Sequence, residues 1–287
     1  MRNRIIFDTT GINKLESGGQ ASEPLMRGLE CGFEVILTGM SADEIVATKG
    51  PEKREALLSR FGRRLYSAKC IWPAGEIIRL LVSAHFGDPA QFEWTKVDVR
   101  AREYEDTIAS RDFDDNLCVQ QRSQQFETQK EFEKMWKELR PKMDAILAKD
   151  PSKRPITYRD AVAIATMDGG TLWGLGQGLY KVTGKEPTEA EIRTFMDICP
   201  PFRAACYGLV MAWYKGSLRM RDGTPTSGRN DLLMATYLPY CDRFVTDDWP
   251  QRRELREIAA EARTECEILS FKEFELGFAV VAKPLSR

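Results

Sequence analysis

The chain has 287 residues, 43% of them apolar, which is enough for one large domain or two smaller ones with a substantial core. Its formal net charge of −1 and pI of about 6.1 exclude a general attraction to polyanions, so a nucleic-acid partner would need a local basic patch. No stretch approaches roughly 18 uninterrupted apolar residues, so no membrane span is expected.

The first part of the chain is predicted to be α/β. Short apolar runs at residues 5–7 and 35–37 predict strands. Helical spacing predicts helices at residues 41–48, 51–66 and 74–86. Strands that alternate with helices in this way indicate a parallel sheet.

The middle of the chain has almost no strand signal, and the last part returns to α/β. Predicted helices of the middle part lie at residues 124–149, 157–167, 188–199 and 201–215. Predicted elements of the last part are a helix from Asp231, a strand at 243–246, a helix at 251–263, a short segment at 267–269 and a final helix or strand. We therefore expect one α/β domain from residues 1–100 and 226–287, with a parallel sheet flanked by helices, and a large all-helical insertion at 101–225.

The cysteines and the single histidine narrow the chemistry. Seven cysteines are scattered without a CxxC pair, which predicts reduced, mostly buried thiols of a cytoplasmic protein. Only three apolar residues precede Asp8, too few for the apolar region of a signal peptide. His85 is the only histidine, so a mechanism that needs a Ser/His or Cys/His pair is not expected.

Acidic residues accompany the predicted strands. Asp8 ends the first apolar run, Glu44 follows the second, Asp247 and Asp248 follow the strand near the end of the chain, and Asp231 opens the apolar stretch that leads into that strand. In parallel sheets, ligands bind outside the carboxyl ends of the strands. We therefore expect these acids to converge on one site.

Each acid also has a structural interpretation. Ser41 and Glu44 have the spacing of a capping box, in which Glu44 would bond to the backbone of the cap. Asn230 or Asp231, and also Asp248, could cap the helices that follow them, and Asp8 could form a turn before Gly11. Independent caps do not explain why acids recur beside three separate strands.

Several carboxylates in one pocket repel one another unless a cation neutralises them, and hard oxygen ligands select Mg²⁺ or Mn²⁺. Such a cation can lower the pKa of a bound water and stabilise charge on a phosphate. The pattern therefore predicts metal-assisted hydrolysis that needs no histidine.

The arrangement of these segments resembles the PIN-domain family of metal-dependent ribonucleases. Residues 5–12 resemble the opening strand of that family with its first acid, and residues 35–37 with 41–45 resemble its second strand and the glutamate helix. Residues 230–236 and 242–248 resemble the helix of the third acid and the Thr-x-Asp sequence after the fourth strand. The likeness covers residues 1–66 and 230–287; Thr10 stands where the family commonly has asparagine, and the helical insertion has no counterpart.

The resemblance implies an endoribonuclease of the PIN type. Asp8, Glu44, Asp231 and Asp248 would hold Mg²⁺ or Mn²⁺, with Asp247 as a substitute, while Thr246 takes the hydroxyl position of the family and Thr10 adjoins the first acid. RNA would be gripped by arginines on a helix or in the loop before Asp231, and these contacts would be sensitive to salt. The candidate arginines are Arg60, Arg63, Arg64, Arg219, Arg221 and Arg229.

Two other functions remain open from the sequence. A phosphatase of the haloacid dehalogenase type also ends its first strand in a catalytic aspartate, but it needs a second aspartate where this chain has Thr10. A PIN-like scaffold could instead bind RNA or protein without cleavage, with the helical insertion as a surface for a protein partner. A toxin role and the oligomeric state are likewise left open.

Overall fold

The computed structural model describes residues 3–59, 69–109, 116, 118–124, 126–127, 130, 134, 155–167, 172, 187–222 and 228–281. Within these residues the fold is mixed α/β with one five-stranded sheet, and all of its strand pairs are parallel. The strands are β1 (Asn3–Phe7), β2 (Phe33–Thr38), β3 (Lys69–Ile71), β4 (Arg243–Val245) and β5 (Glu267–Leu269).

The strand order is β3-β2-β1-β4-β5, which places β1 at the centre of the sheet. The chain builds outward from β1 through β2 and β3 on one side, and then through β4 and β5 on the other. The order therefore reverses between β1 and β4. In doubly wound sheets this switch point opens a crevice at the carboxyl ends of the strands.

Helices connect the strands and cover both faces of the sheet. Those before β4 are α1 (Thr9–Ser17), α2 (Glu23–Gly32), α3 (Gly39–Val46), α4 (Pro51–Leu57), α5 (Ala74–Gly87), α6 (Arg102–Ala109), α7 (Tyr158–Ala165), α8 (Glu189–Ile198), α9 (Pro200–Asp222) and α10 (Arg229–Leu233). Those after β4 are α11 (Trp249–Glu261) and α12 (Phe271–Val281). Short 3₁₀ helices lie at Gly19–Ser22, Trp94–Lys96 and Met234–Tyr240.

The last three residues of the central strand are apolar because both faces of the strand are covered there. Ile5, Ile6 and Phe7 are each at most 1% exposed. Successive side chains of a strand point to opposite faces, and accordingly Ile5 and Phe7 lie in one hydrophobic cluster while Ile6 lies in the other. This is the continuous apolar pattern expected of a parallel strand covered on both sides.

The helices between α6 and β4 contribute to the core on the Ile6 side of the sheet. Phe202 and Val210 of α9, for example, are fully buried in the same cluster as Ile6 and Phe244. The predicted helices at 157–167, 188–199 and 201–215 are confirmed as α7, α8 and α9, and α9 continues further, to Asp222. The predicted helix at 124–149 lies almost wholly outside the described residues, and the division into two domains stays a prediction.

Two local predictions were incomplete. Strand β3 was missed because three residues, Lys69–Ile71, are too few to establish an alternating pattern. The helix predicted at 51–66 is described as α4, which ends at Leu57, and residues 60–68 lie outside the described part of the chain.

Candidate active site

The reversal of strand order brings the predicted acids together. Neighbours in the sheet, Phe7 of β1 and Val245 of β4, are in register, so the segments that follow them leave the sheet side by side. A small cleft of about 60 Å³ opens there. Its lining residues are Asp8, Thr9, Thr10, Met40, Glu44, Asn230, Asp231, Met234, Asp248 and Gln251.

Four of the predicted acids, Asp8, Glu44, Asp231 and Asp248, therefore line one cleft although they come from four separate segments. Asp247 does not line it. Its side chain is exposed and its Oδ2 lies 3.4 Å from Nζ of Lys14. The structure thus distinguishes two adjacent aspartates that the sequence treats as near equivalents.

Asp8 is the most buried of the four acids, with 4% of its surface exposed. It is the N-cap of α1, and its Oδ1 accepts a hydrogen bond of 2.8 Å from the backbone N–H of Gly11. The hydroxyl of Thr10 donates to Oδ1 at 2.8 Å, and the hydroxyl of Thr246 lies 2.7 Å from Oδ2. The turn interpretation of Asp8 is therefore correct, and it coexists with a place in the cleft.

Asp248 also combines capping with a place in the cleft. It is the N-cap of α11, and its Oδ1 accepts from the backbone N–H of Gln251 at 2.8 Å. Gln251 is 2% exposed, and its Nε2 donates to Oδ1 of Asp231 at 3.4 Å. The side-chain amide of Gln251 therefore links Asp231 to the start of α11, the helix that Asp248 caps.

The hydroxyl of Thr246 lies between two acceptors. It is 2.7 Å from Oδ2 of Asp8 and 2.6 Å from Oε1 of Gln251, and it accepts a backbone N–H from Asp248 at 3.1 Å. A hydroxyl has one hydrogen to donate. With Oε1 of Gln251 facing Thr246, the hydroxyl can satisfy both acceptors only if Asp8 carries a proton, which makes this contact sensitive to the charge of Asp8.

The alternative interpretation of Ser41 and Glu44 as a capping box is wrong. Helix α3 begins two residues earlier, and its N-cap is Thr38, whose Oγ1 accepts from the backbone N–H of Ser41 at 3.0 Å. Glu44 consequently lies in the second turn, where its Oε2 accepts a hydrogen bond from the hydroxyl of Thr9. Its carboxylate is directed to the cleft instead of to the helix terminus.

Asp231 lies in the first turn of α10 and does not cap it, because the N-cap is Gly228. Oδ2 of Asp231 accepts the backbone N–H of Gly228 at 2.7 Å. One oxygen of this carboxylate therefore fixes the start of α10, while the other meets the amide of Gln251.

Burial and mutual repulsion raise the pKa values of three of these acids. Burial is the main cause for each: the pKa of Asp8 rises to about 6, that of Glu44 to about 7 and that of Asp231 to about 6. The charge of Asp248 adds to the effect on Asp8 and Asp231, and those of Asp231 and Asp8 add to the effect on Glu44. Hydrogen bonds to Asp8 from Gly11, Thr246 and Thr10 oppose its rise.

The cleft has an excess of negative charge among the described residues. No lysine or arginine of that part of the chain forms an ion pair with Asp8, Glu44, Asp231 or Asp248. Desolvated carboxylates without a counter-charge are costly, and they either take up protons or bind a cation.

We tested whether these residues fit a divalent cation. Within the described ranges, no three His, Cys, Asp or Glu side chains are arranged as a complete chelating group. Mg²⁺ is usually held by only one or two carboxylates, with water and substrate phosphate as its other ligands. The oxygen donors and the uncompensated charge of the cleft fit a cation of that kind.

Four lining residues were not predicted from the sequence: Thr9, Met40, Asn230 and Gln251. Gln251 had a usable signal, because Asp248 and Gln251 have the spacing of a cap and the residue three positions after it. Thr9 could have been inferred only from its position beside Asp8. Met40 and Asn230 belong to α3 and α10, which are far apart in the chain, so no local pattern could have linked them.

The structure does not test the arginines that the sequence suggests for RNA binding. Arg60, Arg63 and Arg64 lie outside the described residues. The backbone of Arg219 and Arg221 lies in α9, and Arg229 is the first residue of α10. Their role stays a prediction. The two threonines predicted near the acids, Thr10 and Thr246, both contact Asp8.

In comparisons with known proteins, no family model, curated protein or solved structure matches the chain. Among the helices that the structure describes, none combines the length and apolar character required to cross a membrane. Any functional conclusion must therefore come from the cleft itself.

Proposed function

We propose that the protein is a divalent-metal-dependent endoribonuclease, as the resemblance to PIN domains implies. One observation carries the proposal: four carboxylates from four separate segments line one cleft at the switch point of a parallel sheet. Asp8, Glu44, Asp231 and Asp248 would hold Mg²⁺ or Mn²⁺. When bound, the cation would lower the pKa of a water molecule and neutralise charge on the phosphate.

The size of the cleft favours a polymeric substrate. Its volume of about 60 Å³ is far below the roughly 300–1,000 Å³ of pockets that enclose a small organic ligand. A cleft of this size has room for an ion and water, so the phosphodiester would lie across its mouth. A nucleic-acid backbone presents its phosphates in this way.

Glu44 would meet the cation through one oxygen. The hydroxyl of Thr9 occupies Oε2, and no described residue donates a hydrogen bond to Oε1. Without a cation, burial raises the pKa of Glu44 to about 7, so the carboxyl would lose its proton as a cation binds. We therefore assign Oε1 of Glu44 to the cation.

Thr10, Thr246 and Gln251 would position the acids. Thr10 and Thr246 hold the two oxygens of Asp8, and Gln251 holds Asp231. The same contacts weigh against a phosphatase that uses Asp8 as nucleophile, because a 4% exposed carboxylate with both oxygens hydrogen-bonded is a poor attacking group.

The test is cleavage of labelled single-stranded and structured RNAs with Mg²⁺ or Mn²⁺ and with a chelator. We expect Asp8→Asn, Asp231→Asn and Asp248→Asn to reduce the rate on the order of 100-fold or more, since metal sites are this sensitive to loss of their supporting groups. Asp247→Asn is the matched control, because that neighbouring acid lies outside the cleft.

Metal-dependent cleavage that is lost in the three variants and retained in Asp247→Asn would establish the nuclease. Equal loss in Asp247→Asn would contradict the assignment of Asp248. Binding of metal and RNA without cleavage would favour the non-catalytic scaffold. Cleavage that persists in every variant would identify a contaminating nuclease.

A further inference from the structure

Two cysteines are in contact at the edge of the sheet opposite the cleft. Cys241 immediately precedes Asp242 and β4, and Cys266 immediately precedes β5. Strands β4 and β5 are parallel neighbours, so both residues lie at their amino ends. The Sγ atoms are 3.5 Å apart, although the residues are 25 positions apart in the chain.

The contact between the two sulfur atoms brings a covalent bond within reach. The register of β4 and β5 places Cys266 level with Asp242, the residue next to Cys241. The sulfurs need to approach from 3.5 Å to about 2.05 Å, a movement that side-chain rotation can supply. Strands β4 and β5, which the two cysteines precede, need not separate or change register for this movement.

The two thiols differ in accessibility. Cys266 is half-buried, whereas Cys241 is 4% exposed and its Sγ lies 3.7 Å from the carbonyl oxygen of Tyr237. Burial holds the pKa of the Cys241 thiol well above its usual range. A dissolved reagent should therefore meet Cys266 first, and Cys241 is placed to react with the product.

We propose that Cys241 and Cys266 are a redox modification site, which forms an internal disulfide by exchange with a small disulfide such as oxidised glutathione. The thiolate of Cys266 attacks one sulfur of glutathione disulfide, forms a mixed disulfide and releases one glutathione thiolate. Cys241 loses its proton to solvent, and its sulfur attacks Sγ of Cys266 and expels the second glutathione thiolate. The two protein thiols are oxidised and one glutathione disulfide is reduced to two thiols.

This site is independent of the nuclease proposal, because it lies at the amino ends of β4 and β5 and the cleft lies at the carboxyl ends. The disulfide would fasten β4 to β5, and Asp242, next to Cys241, already fastens β4 to β1 by accepting the backbone N–H of Arg4 at 2.7 Å. Oxidation would thus link β4, the strand that leads to Thr246 and Asp248, covalently to β5 at the edge of the sheet.

The experiment is incubation of the full chain with oxidised glutathione, followed by alkylation in denaturant and peptide mapping without reductant. In the wild type we expect one cross-linked pair of peptides that contain Cys241 and Cys266, without glutathione on either. Exposed Cys31 is the internal control, and should retain a glutathione adduct. A persistent adduct on Cys266, or free thiols at both positions, would overturn the proposal.

Two variants separate the steps. Cys241→Ser should accumulate glutathione on Cys266, and Cys266→Ser should leave Cys241 unmodified while the protein stays folded. In the wild type, oxidation should raise the unfolding temperature by about 5 °C or more, because the bond constrains the unfolded chain. A lower unfolding temperature in the oxidised protein would mean that the bond distorts the native arrangement of β4 and β5, which would overturn the native contact as its origin.

Discussion

Replacement of Asp8 by asparagine should stabilise the protein without added cation and weaken its response to Mg²⁺ or Mn²⁺. The pKa of Asp8 is raised from 3.8 to about 6, chiefly by burial. Its folded state therefore binds a proton that the unfolded state releases, so the wild type loses stability as pH rises from about 4 to about 6. The raised pKa of Asp8 therefore costs the folded wild type roughly 3 kcal/mol of stability, and the full cost is present above about pH 6.

Asparagine preserves most of the contacts of Asp8. It is as good an N-cap as aspartate, so the N–H of Gly11 keeps its acceptor. With its NH₂ group in the place of Oδ2, it could donate to the hydroxyl of Thr246, which could then donate to Oε1 of Gln251. We therefore expect Asp8→Asn to gain up to about 3 kcal/mol at neutral pH, and to gain little near pH 4.

The assay is urea unfolding of both proteins at about pH 4 and about pH 8, with a chelator and then with Mg²⁺ at matched ionic strength. In the wild type, cation at 100 times its Kd should restore about 2.7 kcal/mol, and Asp8→Asn should recover much less. Asp43→Asn is the matched control: burial also raises the pKa of Asp43 to about 6, but this acid is not among the lining residues of the cleft.

Asp43→Asn should show a similar pH-dependent gain, and its response to cation should change far less than that of Asp8→Asn, because Asp43 acts on the cleft only through its charge near Glu44. A lower stability of Asp8→Asn than of the wild type at pH 8 in chelator, or a stability difference between them that is independent of pH, would contradict this expectation. Either result would mean that the hydrogen bonds to Asp8 outweigh the cost of burying its charge.

Three further variants test two contacts of the site and one close contact outside it. Thr9→Val should raise the pKa of Glu44 above about 7, because it removes a hydrogen bond that favours the charged carboxylate. Mn²⁺ should then bind only at higher pH than it does in the wild type. An unchanged pH profile of Mn²⁺ binding would contradict this. Gln251→Leu should cost about 1–3 kcal/mol in urea unfolding, because it leaves Thr246 and Asp231 without a buried amide partner; a neutral result would show that water replaces it. Gly39→Ala should cost about 1–3 kcal/mol of stability, because the added Cβ would lie 2.5 Å from Cδ of Pro73. Gly32→Ala is the control, because a Cβ there meets nothing within 4 Å. Equal unfolding temperatures of the two variants would contradict the close contact at Gly39.

The sequence was sufficient for the elements with strong local patterns. The apolar run that ends at Phe7 predicts β1, and Thr157 and Thr188 begin α7 and α8 with capping boxes. It also placed Asp8 and Asp248 directly after strands, where both cap the next helix. These features depend on residues a few positions apart, so the sequence displays them directly.

The tertiary structure decided which of these features form a site. Strand order β3-β2-β1-β4-β5 places β4 beside β1, and this pairing joins residues more than 230 positions apart. It also separates Asp248 from Asp247, because adjacent residues at the start of a helix point in different directions. Caps and periodicity are local properties of the chain, whereas the neighbours of a carboxylate, and hence its pKa and its chemistry, are set by long-range packing.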